Sequence, residues 1–341
     1  MLKPFLNKVL AGDDLTREEM SEAVGLVMDG QGSPTQIAGL LVALRSKGEV
    51  VTEIAGAAQA MRARMNKLDI TRRPLIDTCG TGGSGTGSFN ISTAVAFVAA
   101  SAGVAVAKHG NKAISSRSGS ADVLSSLGVH ITADLSIMQQ CIEELGVGFL
   151  FAPNFHPAMK HAGVVRRELG IRTIFNVLGP LTNPAGAPRQ LMGVFDKGLV
   201  SPIAQVLGDL GSEQAWVVHG SDGVDELTIC GKSYVGHWNG ESVEAITIHP
   251  EEAGLPVHPA GSMAGGTPDE NAETMRAILG GNTTGPIFDA IALNAGAALF
   301  VAGKASSLKE GTQNASELMR GGAPLEVIES LVKATNAQKS E

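Results

Sequence analysis

DTCGTGGSGTGSFNIST, residues 77–93, is the stretch whose reading decides the fold. Leu75 and Ile76 precede it as a short apolar run, and AVAFVAA follows at 94–100. The pattern predicts a strand, a glycine loop and a helix. Gly80, Gly82, Gly83, Gly85 and Gly87 let the backbone take positive φ and bring its amides close to a ligand. Asn90, Ser92 and Thr93 open the helix with side chains that can cap or donate, and the positive end of its dipole faces the loop. The expected guest is an anion, phosphate above all. The stretch lacks the Gly-Lys-Ser/Thr end of a Walker loop, and Gly80, Gly82 and Gly85 fit a dinucleotide fingerprint only loosely. A plain Gly/Ser linker is the competing reading, but linkers seldom join a buried strand to an apolar helix.

Residues 108–129, KHGNKAISSRSGSADVLSSLGV, repeat the arrangement after the apolar run at 104–107. Lys108, Lys112 and Arg117 supply cations, and Asn111, Ser115, Ser116, Ser118 and Ser120 supply neutral donors, all expected within one loop and helix start. Two anion loops at neighbouring strand ends imply a ligand with two phosphate groups.

Outward from these loops, apolar strand-like runs at 75–77, 104–107, 147–151, 191–195 and 215–219 alternate with helical segments, which predicts a mostly parallel sheet flanked by helices. Ligands in such sheets bind beyond the carboxyl ends of the strands. Segments 233–238 and 243–248 around Asn239-Gly240 read as a hairpin, an antiparallel extension of the sheet. From 269 onward helices return, with 287–301 apolar enough to be buried. Before residue 70 every periodic segment reads as helix. Thr16 with Glu19 forms a capping box, Ser33 with Pro34 and Gln36 starts a second helix that stops at Gly48, and Thr52 starts a third. Three short helices bury little, so this module either closes on itself or meets a partner.

Of the 341 residues 26 are Lys or Arg and 34 are Asp or Glu, a net charge of −8 without a basic cluster, which argues against nucleic acid as partner. The N-terminus shows no leader pattern, and no apolar run approaches the ~20 residues of a membrane span. Cys79, Cys141 and Cys230 are too scattered for a disulfide framework or a Cys-x-x-Cys site, as expected of a cytoplasmic protein.

The ordered set GTGG…FNIST, KHGN…SS…GSAD, HPAMKHAGVVRRELGIRTIFNVLGPLTNP and VVHGSDGVDELT resembles the anthranilate phosphoribosyltransferases, enzymes of tryptophan biosynthesis, from about residue 13 to past 284. Three positions depart from the family's usual residues: Ser84 stands for Asp, Ser88 for Thr and Lys112 for Arg. The resemblance implies a nucleoside phosphorylase/phosphoribosyltransferase-like α/β fold. A helical domain at 1–70, joined by helices near 160–184, would accompany an α/β domain at 71–341. It implies transfer of a 5-phosphoribosyl group from phosphoribosyl diphosphate to the amino group of anthranilate.

The donor would be contacted by Gly80, Gly83, Ser84, Ser88, Asn90, Ile91, Ser92 and Thr93 in the first loop. In the second, the contacts would be Lys108, His109, Gly110, Asn111, Lys112, Ala113, Ile114, Ser115, Ser116 and Ser120. Gly80, Asn111 and Arg166 would hold anthranilate, with Arg166 on its carboxylate. Ser92, Asp225 and Glu226 would hold magnesium, two ions in all, whereas without the resemblance an Asp-Glu pair on a loop also reads as a solvated turn. Lys108 and the metal site would stabilise the leaving diphosphate, with no covalent catalyst. The module at 1–70 would form a homodimer, and no fused amidotransferase domain is expected.

His109 and His156 either line the acceptor channel or satisfy local hydrogen bonds, and His156 and His161 have the wrong spacing for two ligands on one helix face. Three rivals are a Cys79 nucleophile, a nucleoside phosphorylase of related fold, and a non-catalytic nucleic-acid-binding relative. The Arg166 region and FNVLGPLTNP favour anthranilate.

Overall fold

A computed structural model describes residues 1–113 and 117–337. The chain begins with helices α1 (Lys3–Leu10), α2 (Arg17–Met28), α3 (Pro34–Lys47) and α4 (Val51–Arg62). It continues with β1 (Leu75–Gly80), α5 (Ile91–Ser101), β2 (Ala105–Gly110), α6 (Ser120–Ser126), α7 (Leu135–Leu145), β3 (Val147–Phe151), α8 (Ala152–Phe155), α9 (Lys160–Leu169) and α10 (Phe175–Leu178). Next come β4 (Arg189–Gly193), α11 (Val200–Asp209), β5 (Gln214–Gly220), β6 (Ser233–Trp238) and β7 (Val243–Ile248). The helices α12 (Pro268–Leu279), α13 (Pro286–Val301), α14 (Leu308–Arg320) and α15 (Ala323–Asn336) complete it.

Local chemistry sets the helix starts. Thr16 Oγ1 accepts the Glu19 amide at 3.2 Å while Glu19 Oε2 accepts the Thr16 amide at 2.8 Å, and Ser33 Oγ accepts the Gln36 amide at 3.3 Å. The module before residue 70 has four helices rather than three: Pro4 sits in the first turn of α1, too short a segment for its apolar period to stand out. The third expected helix starts at Val51 instead of Thr52, and Glu53 Oε2 accepts the Val50 amide at 3.1 Å.

The strands form one sheet in the order β3-β2-β1-β4-β5-β6-β7. The first five are parallel, and β6 and β7 are antiparallel, as the Asn239-Gly240 hairpin implies. β1 and β2 are buried almost throughout, hence their unbroken apolar runs. Successive strands run outward from β1 to β3 and then return to β4 on the other side of β1, so the order reverses beside β1. That is where open α/β sheets bind ligands.

Two apolar clusters cover the faces. One joins Ile76, Val106, Leu191 and Val218 to α5 and α13. The other joins Met192, Val194, Ala215 and Val217 to α11, to α9 and α10, and to the stripes of α1–α4. The four short helices thus share the core of the sheet's far face. α13 is buried nearly all round and lies close against α14, where a Cβ on Gly311 would run into the Gly296 carbonyl.

Candidate active site

β1 ends at Gly80, and Gly82, Gly83, Gly85 and Gly87 then adopt φ of 63°, 74°, 76° and 64°, a run only glycine tolerates cheaply. Gly80 itself belongs to the strand. The loop is tied at several points: the Thr81 amide donates to Gly193 O at 2.9 Å, and the Phe195 amide donates to Thr81 Oγ1 at 3.1 Å. Arg172, stacked 4.1 Å over the Phe195 ring, donates to Gly83 O. Ser84 Oγ pairs with Thr86 Oγ1 at 3.0 Å, and Ser88 bridges Ala264.

Asn90 stands at the N-cap of α5 without capping it through its side chain. Its amide instead reaches the second loop, donating to Ser118 O at 3.2 Å and accepting from Ser118 Oγ at 2.9 Å, with Asn271 of α12 donating to it at 2.9 Å. Competition from these partners overrides the capping expected there. Ile91 and Thr93 are buried in the first turn of α5.

Lys108, His109 and Gly110 are the last residues of β2 rather than loop residues. Lys108, 3% exposed, reaches under the first loop to donate to Thr78 O at 2.5 Å and Ser92 Oγ at 3.3 Å. Burial pushes its ammonium pKa down, opposed by Asp77 and Glu226. Beyond the strand, Asn111 Oδ1 accepts the Lys112 amide at 2.8 Å, Ser120 Oγ donates to Asn111 O at 3.2 Å, and Asp122 accepts the Ala113 amide at 2.9 Å. Arg117 Nη2 donates to Gly265 O at 2.5 Å. Ile114, Ser115 and Ser116 lie outside the described residues.

Asp225 and Glu226 follow β5, and the β4 end receives them closely: a Cβ on Gly193 would overlap the Asp225 carbonyl. Asp225 Oδ2 accepts the Gly82 amide at 3.1 Å, and Glu226 Oε1 accepts the Ser92 amide at 3.3 Å. Burial and the neighbouring Asp225 charge raise Glu226 to about 8. A site that favours a proton on one of two adjacent carboxyls at neutral pH is short of positive charge, which a divalent cation would supply. With Ser92 Oγ the donors are all oxygen, as magnesium prefers. Among the described residues no cluster of three or more His, Cys, Asp or Glu forms a cage, so most of the shell would fall to substrate and water. The residues fit magnesium on these terms.

On the other side of β2's end, His109 Nδ1 donates to Gly179 O at 3.0 Å, its ring centroid is 5.1 Å from that of His156, and its Nε2 is buried without a partner among the described residues. Burial, and the second ring beside it, lowers His109 to about 3, and burial lowers His156 to about 4, so both are neutral. Arg166, in the last turn of α9, stacks 5.4 Å over Phe175. Its guanidinium makes no hydrogen bond to Gly80 or Asn111 among the described residues. His161 packs against Gly30 in the helical module.

Sequence reading missed Asp77 and Asn183. Asp77, wholly buried, accepts Asn183 Nδ2 at 2.7 Å and the His109 amide at 3.1 Å, and burial raises it to about 6. A charged residue inside an apolar strand run was the available signal. Cys79 is buried beside it and accepts Gln190 Nε2 at 3.1 Å. Burial and the Asp77 charge push its thiol well up, opposite to what a nucleophile needs.

The chain is similar to proteins of known kind. A model of the glycosyl transferase family α/β domain matches residues 72–325, and one of the glycosyl transferase family helical bundle domain matches residues 3–65. The anthranilate phosphoribosyltransferase of Petrotoga mobilis is 48% identical over 98% of this chain and 97% of its own length. That of Myxococcus xanthus is 50% identical over 97% of this chain and 98% of its own length. Among solved structures, anthranilate phosphoribosyltransferase from Thermus thermophilus superposes with a TM-score of 0.92 at 48% identity, covering 97% of this chain and 99% of that one. The Saccharomyces cerevisiae enzyme in complex with phosphoribosyl diphosphate and magnesium gives 0.91 at 29% identity, covering 98% of each.

Proposed function

This chain belongs to the anthranilate phosphoribosyltransferase family, and on that premise we propose that the cleft over the carboxyl ends of β1, β2 and β5 is its active site. The enzyme transfers the 5-phosphoribosyl group of phosphoribosyl diphosphate to the amino group of anthranilate and releases diphosphate, with magnesium, in tryptophan biosynthesis. One observation carries the assignment of the cleft: the Gly82 and Ser92 amides, the Lys108 ammonium and the two carboxylates of Asp225 and Glu226 converge from three strand ends.

The reacting bond joins the anomeric carbon to diphosphate, so negative charge grows on the leaving group as the ribosyl carbon becomes cationic. Lys108 and the loop amides face that growing charge from fixed positions, which costs no reorganisation during reaction. Magnesium on Ser92, Asp225 and Glu226 would neutralise part of the diphosphate charge. Gly80, Gly83, Ser84, Ser88, Asn90, Ile91, Thr93 and residues 109–116 with Ser120 would complete the donor site. The aromatic amine is weakly basic and needs little deprotonation before attack, so positioning dominates. Arg166, Asn111 and the Gly80 backbone would supply it, and neutral His109 and His156 suit an acceptor channel.

The assay is direct: purified protein with anthranilate, phosphoribosyl diphosphate and magnesium should lose anthranilate fluorescence. No loss at any magnesium concentration would overturn the reading.

Finer features belong to the same proposal. Two magnesium ions would serve one diphosphate. The helical domain at 1–70, with the helices near 160–184, would be distinct from an α/β domain at 71–341 and form a homodimer contact. Leu10, Val42 and Val164 of the adjoining α1, α3 and α9 support this, being 67%, 40% and 48% exposed. Free thiols at Cys79, Cys141 and Cys230 and the biosynthetic role support a cytoplasmic setting.

A further inference from the structure

Asn271, near the start of α12, lies outside every motif quoted above and is 3% exposed, yet its side chain reaches the residue that opens α5. Asn271 Oδ1 accepts the Gly266 amide at 2.7 Å, and Asn271 Nδ2 donates to Asn90 Oδ1 at 2.9 Å. Asn90 Nδ2 donates in turn to Ser118 O at 3.2 Å. A backbone N–H can only donate and a backbone carbonyl can only accept, so the two side-chain amides between Gly266 and Ser118 are fixed in one orientation. Ser118 Oγ also donates to Asn90 Oδ1 at 2.9 Å, which fills both lone pairs of that oxygen. Asn90 keeps one N–H without a partner among the described residues.

The segment before α12 ties the same two loops together. The Phe89 amide donates to Met263 O at 2.8 Å and the Gly265 amide donates to Gly87 O at 2.9 Å, on either side of the Ser88–Ala264 bridge. Gly265 lies so close that a Cβ there would press on the Phe89 backbone. Arg117, from the second loop, donates to Gly265 O at 2.5 Å. Thr267 and Glu270 form a capping box that fixes the first turn of α12, so Asn271 projects from a set point.

We infer that Asn271 is a positioning residue for phosphoribosyl transfer: acting through Asn90, it sets the spacing between the start of α5 and the second loop. It also keeps Asn90 turned so that an N–H, and not the carbonyl oxygen, is left for a phosphate. Two loops that must each hold part of one ligand bind it better when their spacing is set beforehand, because the ordering cost is not met at binding. Without Asn271 the coupling would fall to Ser118 alone. Anthranilate, assigned to Gly80, Asn111 and Arg166, should hardly sense the change. The inference rests on the cleft being the site of phosphoribosyl diphosphate.

Steady-state kinetics on Asn271→Ala, Asn90→Ala and the double variant, with each substrate varied in turn, tests this. Asn271→Ala should raise KM for phosphoribosyl diphosphate about tenfold and leave KM for anthranilate within about twofold of wild type. In the Asn90→Ala background the same substitution should change KM for phosphoribosyl diphosphate by less than about twofold, since its route of action is gone. Asn271→Leu keeps the side-chain volume and serves if the alanine variant does not fold. Arg276→Ala is the control, because Arg276 ties the same helix to Leu127 O at 2.7 Å without touching Asn90, and both KM values should stay within about twofold. A tenfold rise that persists in the Asn90→Ala background, or an equal rise in Arg276→Ala, would reduce Asn271 to general packing of α12. A raised KM in Asn90→Ala with none in either Asn271 variant would sink the positioning role alone. No transfer by wild type, or an unchanged KM for phosphoribosyl diphosphate in Asn90→Ala, would count against the proposed site and the inference together.

Discussion

Asn183 donates to Asp77 Oδ2 at 2.7 Å, and the same amide nitrogen donates to Ala107 O at 2.8 Å. The LTNP segment is thereby fastened to β1 and β2 close to the strand ends that lead into the glycine loop and the loop after Gly110. Asn183→Ala should leave the buried Asp77 carboxylate short of a donor and cost about 3 kcal/mol, read from urea unfolding. Asn183→Asp should be worse at pH 8 than at pH 5, where Asp77 can hold a proton. A loss below about 0.5 kcal/mol for the alanine variant would show that the contact carries little stability.

Acidification should set the buried histidines against the buried carboxyls. His109 and His156 titrate at about 3 and 4 when folded against 6.5 unfolded, so the unfolded chain binds more protons as pH falls below 6.5. Each histidine's contribution, fully present above 6.5, should shrink by about 2 kcal/mol by pH 5. Asp77 acts with opposite sign: its folded pKa of about 6 exceeds 3.8, so its burial penalty is relieved on acidification, by about 1 kcal/mol at pH 5. Glu226, raised to about 8 from 4.5, is relieved in the same direction as Asp77, by about 2 kcal/mol between pH 7 and pH 5, so the carboxyls offset most of what the histidines lose. His156→Gln should make the change in stability between pH 7 and pH 5 about 2 kcal/mol more favourable than in wild type, measured by urea titrations at both pH values. An unchanged pH slope in the variant would contradict the assignment.

Lys108 and Asn111 should separate kinetically. Lys108 is buried against Ser92 and Thr78, on what is proposed as the donor side, and Asn111 lies past the end of β2. Lys108→Ala should weaken use of phosphoribosyl diphosphate, while Asn111→Ala should mainly raise KM for anthranilate. Equal effects of both changes on both substrates would erase the distinction.

Arg166 has no hydrogen-bonded partner for its guanidinium among the described residues and is held by stacking on Phe175, with burial lowering its pKa. A carboxylate is the partner that such a group lacks. Arg166→Ala should raise KM for anthranilate by one to two decades, roughly 1.5–3 kcal/mol, and Arg166→Lys should restore only part because it lacks the planar fork. Unchanged anthranilate affinity in calorimetry would move the acceptor site elsewhere.

Much of this architecture was legible because buried parallel strands and capped helices leave local signatures. The runs at 147–151, 233–238 and 243–248 coincide with β3, β6 and β7, and Thr16 and Ser33 mark real N-caps. Long-range packing decided the rest. β2 continues through Lys108 to Gly110 because β3 pairs with it to its end, Gly110 opposite Phe151, which turns a supposed loop cation into a buried strand residue. β4 starts at Arg189, two residues before the apolar run, because Arg189 pairs with Ile76 and Gln214. Asn90 reads as a cap until Ser118 and Asn271, 28 and 181 positions away, compete for its amide. No local pattern contains those partners.

Ser84 stands where the family's usual residue is a carboxylate, in the loop proposed to receive a multiply charged ligand. Its hydroxyl pairs with Thr86 at 3.0 Å, so the position is neutral and internally tied. The carboxylates of Asp225 and Glu226 already bond to amides of this loop and of the α5 start, and a further one at position 84 would add repulsion toward phosphate unless a cation offset it. Ser84→Asp should therefore shift the magnesium optimum of the reaction upward while changing maximal turnover by less than roughly tenfold, about 1.4 kcal/mol in barrier. Initial rates across a magnesium series for both proteins measure this. An unmoved magnesium profile would make Ser84 a neutral replacement facing solvent. A rise in turnover of several decades would mean that the serine cripples transfer, and that the neutral loop is a defect rather than an accommodation of the donor's charge.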